Sequence, residues 1–216
     1  MDRSHVYIIY EIIAFLFAIC VHESAHAWMA NLCGDPTARM LGRITLNPIK
    51  HIDPIGTILV PAIGIISGFG FVGWAKPTPV DPGNFKHEIR DDILTSVAGP
   101  VSNFVIALIA AVTLEVIGRT VARGSVSQDS IIVPIVIMLR VFVEINILLL
   151  AFNLIPVPPL DGSHVLRHLL SERGQMIYDR LGYIAFFFLF FFGGGVIALF
   201  MSPFVAFFRV VFPGVV

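Results

Sequence analysis

The longest hydrophobic runs of the chain each contain no more than two charged side chains. A helix that crosses a bilayer needs about 20 predominantly apolar residues, and every one of these runs is long enough. The pattern therefore predicts four transmembrane helices, at residues 6–29, 92–118, 131–152 and 180–200. The tail 203–216 is also apolar but short, and Arg209 lies within it. It predicts a short C-terminal span or a helix in the membrane interface.

A fifth apolar stretch, residues 53–72, has a different composition. Six helix-breaking residues interrupt it, namely Pro54, Gly56, Pro61, Gly64, Gly68 and Gly70. Such density disfavours a plain transmembrane helix. A re-entrant hairpin shielded by protein or water is the favoured interpretation. A kinked helix that crosses the bilayer once is the alternative.

The composition agrees with a membrane protein. Only 13% of the 216 residues are charged and 56% are hydrophobic, whereas soluble domains carry roughly 25% charged residues. The length suits one all-α polytopic membrane domain, residues 1–216. The net charge of −1 and the lack of any run of basic residues disfavour a nucleic-acid partner. Two cysteines outside any Cys-x-x-Cys pair do not predict a disulfide framework.

The basic residues indicate an orientation. Three connectors, 30–52, 73–91 and 161–180, hold three Lys or Arg each, nine of the 14 in the chain. The positive-inside rule places these connectors on the cytoplasmic side of a cell membrane, inner or plasma. The first span and the span 131–152 then both run towards the cytoplasmic side. Segment 53–72 lies between two cytoplasmic connectors, which favours re-entry.

Residues 22–26 read His22-Glu23-Ser24-Ala25-His26, an H-E-x-x-H motif. The four-residue spacing places both imidazoles on one helical face, where they can share one Zn²⁺. Glu23 points about 100° away around the helix, so its carboxylate can reach a water at the metal and act as the base. Ionisable groups at membrane depth are costly, which favours function over a structural role.

A catalytic zinc usually takes three protein ligands and leaves one position for water. Asp161 is the candidate for the third ligand. Three prolines between Asn153 and Asp161 should end the preceding helix and aim this carboxylate inward; a loop aspartate at the membrane surface is the alternative. His164, one turn further on, is a rival ligand or a supporting group. His51 and Asp53 also lie close together in the sequence, and a loop is favoured there over a pair of site residues.

Three asparagines lie in or beside the predicted spans, and buried amides in lipid need hydrogen-bond partners. For Asn103 and Asn153 two roles stay open. They stabilise an oxyanion or grip an unwound substrate backbone, or they hold helices together. For Asn146, seven residues before Asn153, helix packing is favoured.

In combination, these motifs resemble the site-2 protease family of intramembrane metalloproteases. The resemblance covers about residues 6–170 and rests on five segments, 22–26, 42–48, 51–56, 99–103 and 153–162. The chain departs mildly from the family pattern because Leu154, and not a proline, follows Asn153. The PDZ and CBS domains of larger members are not expected in a chain of this length.

The resemblance implies one zinc per chain, held by His22, His26 and Asp161, with Glu23 as the catalytic base. It implies a three-helix catalytic core made of the first span, 92–118 and 131–152, with peripheral helices around it. It also implies that the substrates are single-span membrane proteins cut within the lipid bilayer, in regulated intramembrane proteolysis. A homo-oligomer is left open.

The sequence also predicts an extended segment, and it leaves alternative functions to be weighed. Residues Phe71–Val80 include Trp74-Ala-Lys-Pro-Thr-Pro-Val80, which predicts a short extended or β segment to which an unwound substrate strand could add. Buried His and Asp residues also line ion pathways, so a metal or ion transporter is an alternative function. A non-catalytic binder of membrane segments is another. The glutamate beside His22 favours hydrolysis over both.

Overall fold

The structure, a computed structural model, describes residues 3–66, 73–121 and 131–215. These residues form helices, turns and extended segments and contain no β-strand. The α-helices are α1 (Arg3–Cys33), α2 (Thr37–Met40), α3 (Val60–Ile66), α4 (Glu88–Val121), α5 (Ile132–Asn153), α6 (Gly162–Arg167), α7 (Glu172–Phe192) and α8 (Gly194–Val211). Five of them, α1, α4, α5, α7 and α8, are long and apolar enough to cross a membrane. The predicted all-α polytopic membrane fold is confirmed.

Helices α1, α4 and α5 pack against one another and form the three-helix core. Small side chains make the close packing of these helices feasible, since lipid supplies no hydrophobic force to press them together. Fully buried alanines lie on α1 at Ala14 and Ala18 and on α4 at Ala107 and Ala111. Phe208 of α8 is also fully buried and packs against the α4–α5 pair. Helix α7 stays peripheral, with most of its phenylalanines exposed.

The C-terminal region differs from the prediction. The predicted single span 180–200 is wrong, because α7 ends at Phe192 and α8 begins at Gly194. At Gly193 a Cβ would lie 2.2 Å from the carbonyl oxygen of Leu189, so only glycine fits this break. The apolar run continues across it, and hydropathy alone therefore merged two helices. Residues 203–215 of the predicted tail segment 203–216 are accordingly the second half of α8 and a short turn after it.

The described part of segment 53–72 is a broken helix. A π-helical turn, Pro54–Leu59, begins after Asp53 and continues directly into α3. The Asp53 carboxylate caps the turn by accepting hydrogen bonds from the N–H groups of Ile55 and Gly56. The 13 residues from 54 to 66 span about 20 Å, less than the ~30 Å core of a bilayer. Residues 67–72 lie outside the described residues, so re-entry stays a prediction.

Residues 73–80, called the strap here, lie outside any regular secondary structure, so the β form predicted for Phe71–Val80 is wrong for the residues that the structure describes. The strap lies against the loop that follows α2 and makes no β-ladder. The N–H of Trp74 donates to the carbonyl of Gly56 (3.0 Å), and the N–H of Lys76 donates to the carbonyl of His51 (2.8 Å). These bonds fix one edge of the strap and leave Thr78 beside α1.

Candidate metal centre

Three potential ligand atoms converge where α1 faces the start of α6. Nε2 of His22 lies 3.0 Å from Nε2 of His26. Oδ2 of Asp161 lies 3.2 Å from the first nitrogen and 3.4 Å from the second. Ligands about 2.0–2.1 Å from a tetrahedral zinc are separated by roughly 3.3 Å. The three residues form the one group with metal-binding geometry among the described His, Cys, Asp and Glu residues.

The hydrogen bonds of the two imidazoles fix which nitrogen is free. Nδ1 of His22 lies 2.6 Å from Oδ1 of Asn103, and Nδ1 of His26 lies 2.7 Å from the carbonyl oxygen of Thr95. Both partners are acceptors, so both Nδ1 atoms carry the proton. Each neutral ring therefore presents an Nε2 lone pair, the state in which histidine binds a metal.

A chain of hydrogen bonds through two asparagine amides links His22 to α5. Nδ2 of Asn103 donates to Oδ1 of Asn146 (2.8 Å), and Nδ2 of Asn146 donates to the carbonyl oxygen of Phe142 (2.8 Å). A backbone carbonyl only accepts, so it sets the direction of every bond in the chain. Both asparagines are fully buried. The carbonyl of Phe142 thus determines that His22 is protonated on Nδ1.

The carboxylate of Asp161 reaches the centre from the loop that follows α5. Asp161 directly precedes α6, and its side chain is 19% exposed. Its Oδ2 atom is nevertheless buried and has no hydrogen-bond partner among the described residues. An unsatisfied buried carboxylate oxygen beside two nitrogen lone pairs is unfavourable without a cation. The donor set and its spacing therefore fit a divalent zinc ion.

Gly99 of α4 makes room for the imidazoles. A Cβ at this position would lie 2.3 Å from Nε2 of His26 and 2.6 Å from Cε1 of His22. Such distances are far below van der Waals contact, so any larger residue would displace the rings. The glycine lets α4 approach α1 closely enough for Thr95 and Asn103 to reach the two histidines.

Glu23, the neighbour of His22 in the motif, is hydrogen-bonded to the strap. The N–H of Thr78 donates to Oε2 of Glu23 (2.8 Å). The Thr78 hydroxyl lies 2.8 Å from the same oxygen and 2.9 Å from the carbonyl oxygen of Glu23. Pro77 and Pro79 flank Thr78 and restrict its backbone. The carboxylate is thus held at one oxygen, and Oε1 is left for other partners.

Arg43 fixes the strap from the opposite side. The residue is only 5% exposed, and its guanidinium donates to the carbonyls of Lys50 (2.6 Å), Lys76 and Pro77 (2.9 Å). Burial lowers the pKa of Arg43, an effect that the nearby Glu23 carboxylate opposes. Three carbonyl acceptors compensate the buried cation. Arg43 therefore joins the loop after α2 to the strap segment that contacts Glu23.

The remaining sequence candidates occupy other positions. Asn103 is buried, and both ends of its amide are engaged, one with His22 and the other with Asn146; its contact with a substrate stays a prediction. Asn153 donates from Nδ2 to the carbonyl of Leu149 in its own helix. His164 turns towards Asp92, not towards the metal centre. His51 is fully buried, and its Nε2 lies 2.8 Å from the carbonyl oxygen of Thr45.

Sequence reasoning missed several residues that the structure places around the centre: Arg43, Thr78, Asp92, Thr95 and His168. Their contacts with the site join positions far apart in the chain. One signal was present for Asp92, a carboxylate at the start of an apolar span, where a buried charge requires a partner.

Comparisons with known proteins agree with this geometry. The model of "Peptidase family M50" matches residues 10–136 and 120–193. A Bacillus subtilis (strain 168) protein named "Putative zinc metalloprotease YwhC" is 37% identical over 201 residues, 88% of this chain and 85% of that protein. "Putative zinc metalloprotease Rip2" of Mycolicibacterium smegmatis is 30% identical over 80% of this chain and 62% of its own length. No solved structure matches the chain.

A more distant relative is the "Regulator of sigma-E protease RseP" of Salmonella typhimurium, which is 28% identical over 57% of this chain and 30% of its own length. The membrane helices, the histidine pair and these relatives define a membrane metalloprotease. The chain belongs to peptidase family M50, the site-2 protease family.

Proposed function

We propose that the protein is an intramembrane zinc endopeptidase, which hydrolyses peptide bonds within transmembrane segments of single-span membrane proteins. The observation that carries the proposal is the convergence of His22, His26 and Asp161 within 3.4 Å, beside Glu23, inside a core of membrane helices. One zinc per chain would occupy this position.

The depth of the site supports a membrane-embedded substrate. His26 and His22 lie 7 and 11 residues before the end of α1 at Cys33, which corresponds to roughly 10 and 17 Å along the helix axis. Both are below 8% exposed. A peptide bond that reaches them must enter the bilayer region. It must also leave its helix, because helical packing shields the carbonyl carbon and engages its oxygen.

His22, His26 and Asp161 would hold the zinc, and Zn²⁺ in such a site supplies a Lewis acid that polarises a carbonyl and makes water more acidic. Glu23 takes the proton from the attacking water. It then delivers that proton to the leaving amine, so the carboxylate ends the cycle unprotonated. Thr78 holds Oε2 of Glu23, and Oε1 is the oxygen available for this proton.

The strap supports the base and is poorly suited to bind a substrate strand. The N–H groups of residues 74, 76 and 78 are already used. Of the intervening residues 75, 77 and 79, two are prolines without an N–H, and prolines weaken strand pairing. We therefore assign the strap to Glu23. Asn153, near the end of α5, stays a candidate for contact with the unwound substrate.

We further propose that the active site faces the cytoplasmic side of a cell membrane. The two connectors on the side of α1 that carries the site hold six basic residues: Arg39, Arg43, Lys50, Lys76, Lys86 and Arg90. The positive-inside rule favours this side as cytoplasmic. Cleavage would then release a substrate fragment towards the cytoplasm.

A reconstituted cleavage assay tests the proposal. Zinc-loaded protein in lipid vesicles is mixed with a single-span model substrate, and the Glu23→Gln variant is the matched control. We expect cleavage within the span by the wild type, a loss of at least 100-fold in the variant, and equal zinc content in both. Ion flux through the vesicles that survives Glu23→Gln, without any cleavage, would identify a transporter instead.

A further inference from the structure

A second cluster of titratable groups lies next to the metal centre and joins α4 to α6. Asp92 of α4 is only 8% exposed. Its Oδ1 lies 3.0 Å from Nδ1 of His164, and its Oδ2 lies 2.7 Å from Nε2 of His168. We call these three residues the α6 clamp. The side chain of His168 is 11% exposed and that of His164 is 44% exposed, so the carboxylate and one histidine are largely removed from solvent.

The clamp continues a face of α4 that contacts both proposed histidine ligands. Asp92, Thr95, Gly99 and Asn103 are spaced by three, four and four residues, which places them on one side of the helix. Thr95 orients His26, Gly99 makes room for both rings, and Asn103 orients His22. Asp92 bonds to His164 and His168, which follow Asp161 in the chain.

The position of Asp161 depends on such a contact. Oδ2 of Asp161 has no hydrogen-bond partner among the described residues, so no hydrogen bond holds that oxygen before a metal binds. Its place is set by the backbone that leads into α6, a helix of six residues. The other ion pair of α6, Arg167 with Asp179, is about half exposed on both sides and is therefore weak.

We propose that Asp92 is a positioning residue that fixes Asp161 for zinc binding by holding His164 and His168. The inference rests on the proposed zinc site and adds the means by which its third ligand, distant in sequence from the histidine pair, is placed. His164 and His168 are not proposed as zinc ligands. Nδ1 of His164 and Nε2 of His168 are both engaged by the carboxylate of Asp92.

The test compares zinc affinity, measured by competition with a chromogenic chelator, among variants of the full chain in detergent. Asp92→Asn is expected to weaken zinc binding by about 10–100-fold, the usual effect of removing a residue that supports a ligand. The matched control is Asp179→Asn, which removes the exposed ion pair of α6 and should leave the affinity within about twofold. His168→Gln, a milder change, should give an intermediate loss.

A double-mutant cycle distinguishes positioning from general destabilisation. If Asp92 acts through Asp161, then Asp92→Asn should have no further effect on zinc affinity in an Asp161→Asn background. The visible spectrum of Co²⁺-loaded Asp92→Asn should likewise shift towards that of Asp161→Asn.

Additive losses in the cycle, or wild-type affinity in Asp92→Asn with only a lowered unfolding temperature, would overturn the inference. Wild-type protein that bound no zinc would overturn the metal site and this inference together. Normal zinc binding without cleavage of any membrane substrate would contradict the proposed function alone.

Discussion

The backbone N–H and the hydroxyl of Thr78 both lie 2.8 Å from Oε2 of Glu23, across 55 positions of the chain. Two donors on one carboxylate oxygen restrict the rotation of the side chain and direct Oε1 to the remaining space. The segment that supplies these donors is itself held by the buried guanidinium of Arg43. The orientation of Glu23, the proposed base, therefore depends on residues that no motif marks.

Replacing Thr78 with valine tests this orientation. The change keeps the shape and the backbone N–H but removes the hydroxyl. A hydrogen bond to a charged group is worth about 1.5–3 kcal/mol, so we expect kcat to fall roughly tenfold or more. KM and zinc content should not change, because this hydroxyl bonds to Glu23, which is not one of the proposed zinc ligands. Steady-state kinetics with a single-span substrate provides the measurement.

Thr78→Ser is the matched control for this prediction. It retains the hydroxyl and should restore most of the lost kcat. If the valine variant instead raised KM at constant kcat, Thr78 would contact the substrate, and the assignment of the strap to Glu23 would fail.

The amide chain predicts the effect of Asn103→Leu. Loss of the acceptor at Nδ1 of His22 frees the ring to rotate or change tautomer, and such supporting changes cost about 10–100-fold in metal affinity. Asn153→Ala is the control, since Asn153 bonds only to its own helix among the described residues. It should bind zinc normally in the same chelator titration. Equal affinities for the two variants would refute the role of Asn103.

Two glycines of α4 provide a paired steric test. Gly99→Ala would place a Cβ 2.3 Å from Nε2 of His26, whereas at Gly118 no described atom outside the adjacent turns of its own helix lies within 4 Å of the added Cβ. We expect Gly99→Ala to abolish stoichiometric zinc binding. Gly118→Ala should leave zinc content unchanged, because alanine fits the helix at least as well as glycine. Metal analysis of both purified proteins decides the matter, and a fully loaded Gly99→Ala protein would contradict the described packing.

Asp35 predicts a pH dependence of stability. Burial opposes its ionisation, but hydrogen bonds from the Thr37 hydroxyl, the N–H groups of Thr37 and Asp81, and Asn84 outweigh burial and lower its pKa. A group whose pKa is lower in the folded state stabilises the fold above its unfolded-state pKa of about 3.9. That contribution disappears as the pH falls through the folded-state pKa.

We therefore expect Asp35→Asn to lower the unfolding temperature at pH 7, with a smaller difference from the wild type below about pH 4. Thermal unfolding in detergent at both pH values measures this. Asp81→Asn removes the charge of a carboxylate that accepts an exposed hydrogen bond from the Gly83 N–H, a bond that the amide oxygen can keep, and should have little effect at either pH. A difference for Asp35→Asn that did not depend on pH would show that its charge is not the cause.

The sequence predicted those features that local chemistry determines. Apolar length located α1, α4 and α5 to within a few residues, and the spacing of His22 and His26 placed both on one helical face. The prolines before Asp161 and the distribution of basic residues predicted that Asp161 lies close to these two histidines. The roles of these residues in zinc binding and catalysis stay predictions.

Contacts between distant segments could not be predicted in the same way. In the sequence, nothing distinguishes Asn103 from other polar residues in a span. Its contacts with His22 and Asn146 are visible only in the structure. Asp92, with His164 and His168, depends on how α6 folds back onto α4, which no periodicity reveals. The break at Gly193 was missed because hydropathy is continuous across it, although α7 and α8 are separate helices.

In the proposed site, two imidazoles and one distant carboxylate hold a single zinc ion. X-ray absorption at the zinc edge of the purified protein measures this coordination. We expect one zinc per chain, surrounded by nitrogen and oxygen ligands at about 2.0–2.1 Å, with two imidazole signatures and altered coordination in Asp161→Asn. A sulfur ligand at about 2.3 Å, or a spectrum unchanged in Asp161→Asn, would contradict it.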